Sequence, residues 1–112
     1  MARLGIDTIR TLAFGGISGT YAAVGAALAH NTAMFRIINN TNGDLLFSVG
    51  GTIDHFFVPA MSFVLYDLAA NSPPQVQSGS LVMAIGDRFY VKQSTAPSSG
   101  AVWIESLYAT GV

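Results

Sequence analysis

The stretch Met34-Phe35-Arg36-Ile37-Ile38-Asn39-Asn40-Thr41-Asn42-Gly43-Asp44-Leu45-Leu46-Phe47-Ser48-Val49 decides the fold. Its first five residues are rich in β-formers. Asn39 to Asp44 is a cluster of turn residues. Leu45 to Val49 then reads as the return strand. Asn42-Gly43 predicts a tight hairpin turn, because both residues tolerate a positive φ. No long apolar period of 3.6 residues competes with strands here.

The same grammar continues toward the C-terminus. Gly50-Gly51-Thr52 turns, and His55 to Val58 makes another strand, broken by Pro59-Ala60. Ser62 to Asp67 follows as a strand, with Phe63, Leu65 and Asp67 opposing Val64 and Tyr66. Asn71-Ser72-Pro73-Pro74 is the clearest loop, and Gln75 to Ser80 reads as its continuation. Leu81 to Ile85 reads as a buried or edge strand. Gly86-Asp87 turns into Arg88 to Gln93, Thr95 to Gly100 turns again, and Ala101 to Tyr108 closes the chain. Short strands with turn signals about every 8–12 residues predict an all-β fold. The expected architecture is one antiparallel β-sandwich or barrel-like domain of jelly-roll or immunoglobulin size. It spans residues 10–112, with residues 1–9 as an extended N-terminal arm. The expected core is Phe14, Phe35, Ile37, Phe47, Phe57, Leu65, Phe89, Val91, Trp103 and Leu107. A slip of one residue in any strand exchanges its two faces.

Working outward to the N-terminus, no Asp, Glu, Lys or Arg occurs between Arg10 and Arg36. A membrane span over Leu12 to Ala29 is barely long enough. Gly15, Gly16, Gly19 and Gly25 dilute it, although Gly15 and Gly19 form a G-x-x-x-G pair. A secretory signal ending at Ala27-Leu28-Ala29 has Asp7 and Arg10 awkwardly before its apolar stretch. A helix over Tyr21 to His30 would carry Gly25 in its middle, at about 1 kcal/mol. The favoured reading is two short strands. Leu12 and Phe14 oppose Ala13, Gly15 and Ile17, Gly19-Thr20 turns, and Val24, Ala26 and Leu28 alternate.

Composition bounds the function. A chain of 112 residues is one domain, and a hydrophobic fraction of 51% excludes intrinsic disorder. Only 10% of residues are charged, against about 25% in an ordinary soluble domain. Such a surface is expected to be hidden against partners or copies of the chain. Five Lys and Arg against six Asp and Glu leave a net charge of -1. The bases are scattered, which argues against nucleic acid, since phosphate contacts need clustered cations. With Cys 0 in the chain, a disulfide framework, a thiolate metal site and a cysteine nucleophile are excluded.

Chemistry-bearing constellations are weak. Asp54-His55 with a serine would be a triad, but no nucleophile-elbow motif accompanies it. Asp44, Asp54, Asp67, Asp87 and Glu105 are candidates for a glycosidase pair. Three of them sit in turns, where aspartate caps the backbone. Asn40, Asn42 and Asp44 alternate as oxygen ligands would, but lack the closing glutamate of a calcium loop. Asn39-Asn40-Thr41 is a formal glycosylation sequon. No catalytic residue, metal or cofactor is expected. Phe56-Phe57 and Phe89-Tyr90 place aromatics on both faces of a strand, so one of each pair needs cover. Leu4 and Ile6 need cover if the arm is ordered. Leu4, Ile6, Phe56 and Tyr90 are therefore the candidate interface residues.

The chain resembles the small all-β virion proteins of tailed bacteriophages. The resemblance runs from Arg10 to the C-terminus, about nine tenths of the chain. It is carried by Arg10-Thr11-Leu12-Ala13-Phe14-Gly15, the Gly25 segment, Arg36-Ile37-Ile38-Asn39-Asn40-Thr41 and Leu46-Phe47-Ser48-Val49-Gly50-Gly51. Val58-Pro59-Ala60, Val64-Leu65-Tyr66-Asp67, Phe89-Tyr90-Val91-Lys92-Gln93 and Pro97-Ser98-Ser99-Gly100-Ala101-Val102-Trp103-Ile104 complete it. The resemblance implies a structural protein without enzymatic activity, built into a virion in many symmetric copies. Its partners would be copies of itself and other virion proteins, the major capsid or the neck and tail proteins, with neither nucleic acid nor membrane. Such proteins serve as capsid decoration (cement), as neck components, or as tail and fibre attachments; decoration is the leading expectation. Assembly would take place in the bacterial cytoplasm. A different class of function is a carbohydrate-binding sandwich, with Tyr66, Tyr90, Trp103 and Tyr108 as an aromatic platform. Deletion of Met1 to Ile9 is expected to weaken assembly more than folding, measured by solution mass and by thermal melting. Equal loss of both contradicts the arm.

Overall fold

A computed structural model of the chain describes residues 2–67 and 84–111. The strands are β1 (Ala2–Ile6), β2 (Arg10–Ala13), β3 (Ala22–Ala23), β4 (Thr32–Thr41), β5 (Leu45–Val49), β6 (Phe56–Val58), β7 (Ser62–Asp67), β8 (Phe89–Gln93) and β9 (Gly100–Gly111). β5 and β7 have the spans expected from the sequence.

The strands form two antiparallel sheets. One runs β7-β4-β9, and both β2 and β1 pair along the far side of β9. The other runs β3-β8-β5-β6. The pairings nest in two sets: β5–β6 within β4–β7 within β3–β8 within β2–β9, and β5–β8 within β4–β9. This is the order of an eight-stranded jelly roll, with β1 appended. Ala2–Ile6, in the stretch expected as an arm, thus pairs with β9 of its own chain.

The two inner faces make one core. Phe35, Ile37, Val102 and Ile104 of the first sheet meet Leu45, Phe47, Val58, Phe89 and Val91 of the second. Ile17, Val24 and Leu28 close it from the N-terminal third. Phe35, Ile37, Phe47, Phe89 and Val91 are buried as expected. The other five expected core residues are not. Phe14, Phe57 and Leu65 are exposed, and Trp103 and Leu107 are only partly buried. In β9 the inner residues are Val102, Ile104 and Ser106, so the parity is one residue away from that expected.

Asn42-Gly43 is not a hairpin turn. β4 and β5 belong to different sheets, so the chain crosses between layers there. Neither residue has a positive φ. The glycine is required for space instead: a Cβ on Gly43 would lie 2.4 Å from the Thr95 carbonyl oxygen. Three layer crossings meet at this end of the sandwich: β4 to β5, β6 to β7 and β8 to β9.

Buried Asn39 ties two of those crossings together. Its amide nitrogen donates to the carbonyls of Gly43 (2.9 Å), Val58 (2.9 Å) and Pro59 (3.1 Å). Its oxygen accepts the Thr41 N–H at 3.0 Å and the Thr41 hydroxyl at 2.6 Å. Asp44 reaches the third crossing, its carbonyl accepting from the N–H groups of Ser94 (2.9 Å) and Thr95 (3.0 Å). The Asp44 carboxylate also accepts the Ala60 N–H at 2.9 Å. The first residue of the sequon is thus fully buried and engaged.

The uncharged third folds around Arg10. Leu12 to Ala29 holds the end of β2, a 3-10 turn at Phe14–Gly16, β3 and irregular chain. Among the described residues no helix is long and apolar enough to cross a membrane. The alternating strand expected over Val24 to Leu28 is absent, because a side chain takes its carbonyls. Buried Arg10 donates to Ala26 O (2.8 Å), Ala27 O (3.1 Å), Thr8 O (2.9 Å) and the Ser106 hydroxyl (3.4 Å). Its charge is balanced by Asp7 at 3.3 Å. Gly25, at φ 69°, lies so close to the arginine stem that a Cβ would sit 2.7 Å from its Cγ. Of the strand expected at Leu81 to Ile85, residues 81–83 lie outside the described residues, and Ile85 is an exposed turn residue. The Asn71 to Ser80 loop also lies outside them.

Asn39→Ala is expected to lower stability by about 3 kcal/mol or more in urea unfolding, because several buried groups lose their partner. The exposed Asn40→Ala is expected to change it by about 0.5 kcal/mol or less. Equal effects would contradict the role given to Asn39. A second expectation concerns acid. Burial opposes ionisation of Asp7, but the Thr8 N–H and the Arg10 guanidinium, helped by His30, outweigh it and hold the carboxyl below its ordinary 3.8. A lowered folded-state value stabilises the fold above the unfolded value, and the gain disappears as pH falls through the folded one. The stability gap between wild type and Asp7→Asn is therefore expected to be full above the ordinary carboxylate range and to shrink as pH falls below it. A gap that persists at the acid end contradicts the pairing.

Candidate assembly surface

Strand alternation that sends Phe35, Ile37 and Asn39 inward sends Met34, Arg36 and Ile38 outward. The partners of those outward residues share their face. Ile38 lies between Phe63 of β7 and Trp103 of β9, and Trp103 is followed by Thr11 of β2. Arg36 lies between Leu65 and Glu105. Met34 pairs with Leu107, which is followed by Ile6 of β1. The outer face of the five-stranded sheet thus carries two apolar-rich rows, those of Ile38 and Met34, on either side of a row whose only apolar member is Leu65. Phe63 is 58% exposed, Leu65 56% and Ile6 80%, while Met34, Ile38, Trp103 and Leu107 are partly exposed. An antiparallel sheet with one solvated face normally shows polar residues there. A contiguous apolar face of this kind marks an interaction surface.

The only charges at the outward positions of β4 and β9 form one ion pair. The Arg36 guanidinium donates to Glu105 through Nε at 2.7 Å and also through its terminal nitrogen. It also lies over the Phe63 ring, 5.6 Å from the centroid. Both charged groups remain more than one third exposed, so the pair adds little stability to the monomer.

The outer face of the second sheet is mixed, with exposed Phe57 and partly exposed Leu46 in one row with Lys92. Asp54 accepts from the Tyr21 hydroxyl and pairs with Lys92 at 3.1 Å. Those two partners hold its carboxyl below the ordinary range. Burial and the Asp54 carboxylate push the Tyr21 phenol up. The adjacent His55 accepts the Val49 N–H on Nδ1 at 3.0 Å, which commits that nitrogen to the β5–β6 turn. Asp54 therefore does not orient His55, and the triad arrangement is not formed.

The other sequence candidates are dispersed. Asp44 serves the corner, Asp87 accepts the Ala84 N–H in a turn at 3.0 Å, and Glu105 pairs with Arg36. Asn42 pairs with Ser98, not with Asp44. The four aromatics proposed as a platform are separated. Trp103 is on the outer face of one sheet and Tyr90 on the outer face of the other. Tyr66 stacks on core Phe35, and Tyr108 stacks on His30 at 3.7 Å.

Of the four interface candidates, Ile6 lies on the apolar face and Leu4 sits opposite Ala109 in the same ladder. Phe56 points inward, with Phe35 and Tyr66 rings at 5.8 and 5.1 Å. Tyr90 lies on the second sheet, where its ring covers Gly51. The sequence reading missed Met34, Ile38 and Phe63, and placed Leu65, Trp103 and Leu107 in the core. A signal was present: Glu105 has the parity of Trp103 and Leu107, and Asp67 has the parity of Phe63 and Leu65.

No protein-family model matches the chain, and no curated protein matches it in sequence. Among solved structures the fold is similar to one from the cyanophage Pam1 capsid asymmetric unit. The TM-score is 0.58 at 10% identity, covering 98% of this chain and 86% of that one. A chain of the Bacillus endospore appendages, described as disulfide-linked pili, gives 0.48 at 11% identity over 99% of this chain and 92% of that one. The Dit hub protein of phage SPP1 gives 0.41 at 9% identity, covering 96% of this chain but 49% of that one. Only the first bears on the fold.

Phe63→Ser and Leu65→Ser are each expected to change unfolding free energy by about 0.5 kcal/mol or less. Phe35→Ala is expected to cost about 3–5 kcal/mol. Urea titration compares them, and a cost at Phe63 matching that at Phe35 would make the face part of the core.

Proposed function

We propose that this chain is a non-enzymatic structural protein of a tailed-phage virion, present in many copies, and that it decorates the capsid. The observation that carries the reading is the apolar outer face of the five-stranded sheet, left uncovered among the described residues. A jelly roll alone does not specify a role, but this face gives it an adhesive one. Apolar rows lie across seams between shell subunits, and each contact is weak. Repetition around a symmetric particle supplies avidity without further contacts. The low charge of the chain suits a surface that is mostly covered in the assembled particle. The likeness to a chain of a phage capsid asymmetric unit supports the same reading at the level of fold. Residues 1–9 serve as the arm of the 10–112 domain, with Ile6 and Leu4 as contacts at its flank.

Cryo-electron microscopy of particles made with and without the gene tests this. The expected result is density in hundreds of copies on the capsid, lost when the gene is removed. A ring of a few dozen copies at the neck or tail would overturn decoration. Absence from purified particles would overturn the virion reading as well.

A further inference from the structure

We infer that the outer face of the five-stranded sheet receives a second copy of this chain, around a two-fold axis that lies in the interface and runs along the strands between β4 and β9. The inference deepens the adhesive role proposed above by naming the first partner of that face. It stands or falls separately from where the protein sits in a particle.

The argument is self-complementarity. A two-fold axis of this direction keeps each row at its own level and reverses its order. β4 of one copy then lies over β9 of the other. The row of Ile38 and Trp103 places Ile38 of each copy over Trp103 of the other. The row of Met34 and Leu107 does the same with two apolar residues. The row between them places each Arg36 over the other copy's Glu105. On β4 and β9 all three levels match, with no like charges opposed and no net charge. On the flank, Asp67 of β7, in register with Met34, falls opposite Ile6 of the other copy at the rim of the contact. An axis across the strands at the same level would instead put Arg36 over Arg36. The half-exposed ion pair becomes a four-membered network when covered, shielded by the apolar rows on both sides. An isologous contact of this kind is the commonest way that chains associate.

The size of the face makes the contact a weak one. Four strands at about 4.8 Å spacing and about seven residues of length cover on the order of 400 Å² per copy. That is about 800 Å² in total, below the roughly 1,000 Å² that a stable interface clears and in the range of a weak, transient contact. The dimer is accordingly expected to be reversible, and populated only at concentrations of roughly 10–100 μM.

The test is a charge exchange in the full chain, read as solution mass by light scattering. Wild type is expected to reach twice the mass of one chain as concentration rises. Arg36→Glu and Glu105→Arg each place like charges across the axis, and each is expected to weaken association at least about tenfold. An equimolar mixture of the two variants puts an acidic face against a basic one and is expected to restore the dimer. Thermal melts confirm that each variant is folded. Should either fail to fold, the Phe63→Asp chain, changed at an exposed position on the same face, is expected to stay monomeric at concentrations where wild type dimerises, without unfolding. A strictly monomeric wild type overturns the inference. So does a dimer that survives both charge reversals, or a mixture of folded variants that does not reassociate.

Discussion

The buried amide of Asn39 is the constraint on which the rest of the structure depends. A primary amide in an apolar interior must find partners for all its polar atoms. Here they are backbone groups of two separate layer crossings. Satisfying them places Asn39 inward, and strand alternation then fixes every other residue of β4. Phe35, Ile37 and Thr41 go in with it, and Met34, Arg36, Ile38 and Asn40 go out. Because β4 lies between β7 and β9, its register sets the faces of both neighbours. The polar corner and the apolar outer face are two results of one parity.

That parity explains an otherwise costly surface. Exposed Phe63 and Leu65 beside Ile38 and Trp103 do little for a monomer and invite association. In this fold they cannot turn inward, because Val64 and Tyr66 already occupy the inner positions of β7. The single ion pair in the middle of the face keeps it from being uniformly sticky and gives it a direction. At the opposite flank, Arg10 does with a side chain what a strand would do with its backbone. It satisfies carbonyls of the Gly25 segment, so Val24 and Leu28 can enter the core without a regular partner strand.

Much of this was legible in the residues. From Met34 onward most strands fall where β-formers and turn residues place them, although β4 runs on through Asn39 to Thr41 and Ile85 is a turn residue rather than part of a strand. Phe35, Ile37, Phe47, Phe89 and Val91 are core as their patterns require. What was illegible had physical causes. An Asn-Gly pair reads as a hairpin when only local φ preferences are considered. Here Gly43 is needed because the β8–β9 connection packs against it, a contact between distant residues. In β7 and β9 both faces are rich in apolar residues, so hydrophobicity alone could not fix parity. Ser106 and Asn39 inside and Trp103 outside invert the usual rule. The face was hidden for the same reason: its largest residues look like core. Only Glu105 and Asp67, read as markers of the outward side, would have exposed it. Nothing local announces that Arg10 would organise the N-terminal third, since its acceptors are backbone atoms sixteen and seventeen residues away.

The chain carries its own reporter for the central claim, that the outer face of the five-stranded sheet is a contact surface. Its one tryptophan, Trp103, lies in the middle of that face. The most direct measurement is Trp103 emission and acrylamide quenching across a dilution series of the full chain. The account predicts a blue, protected emission at high concentration that shifts red and becomes quenchable on dilution, while circular dichroism stays constant. Emission and quenching that do not change with concentration, across the range where mass changes, would contradict it.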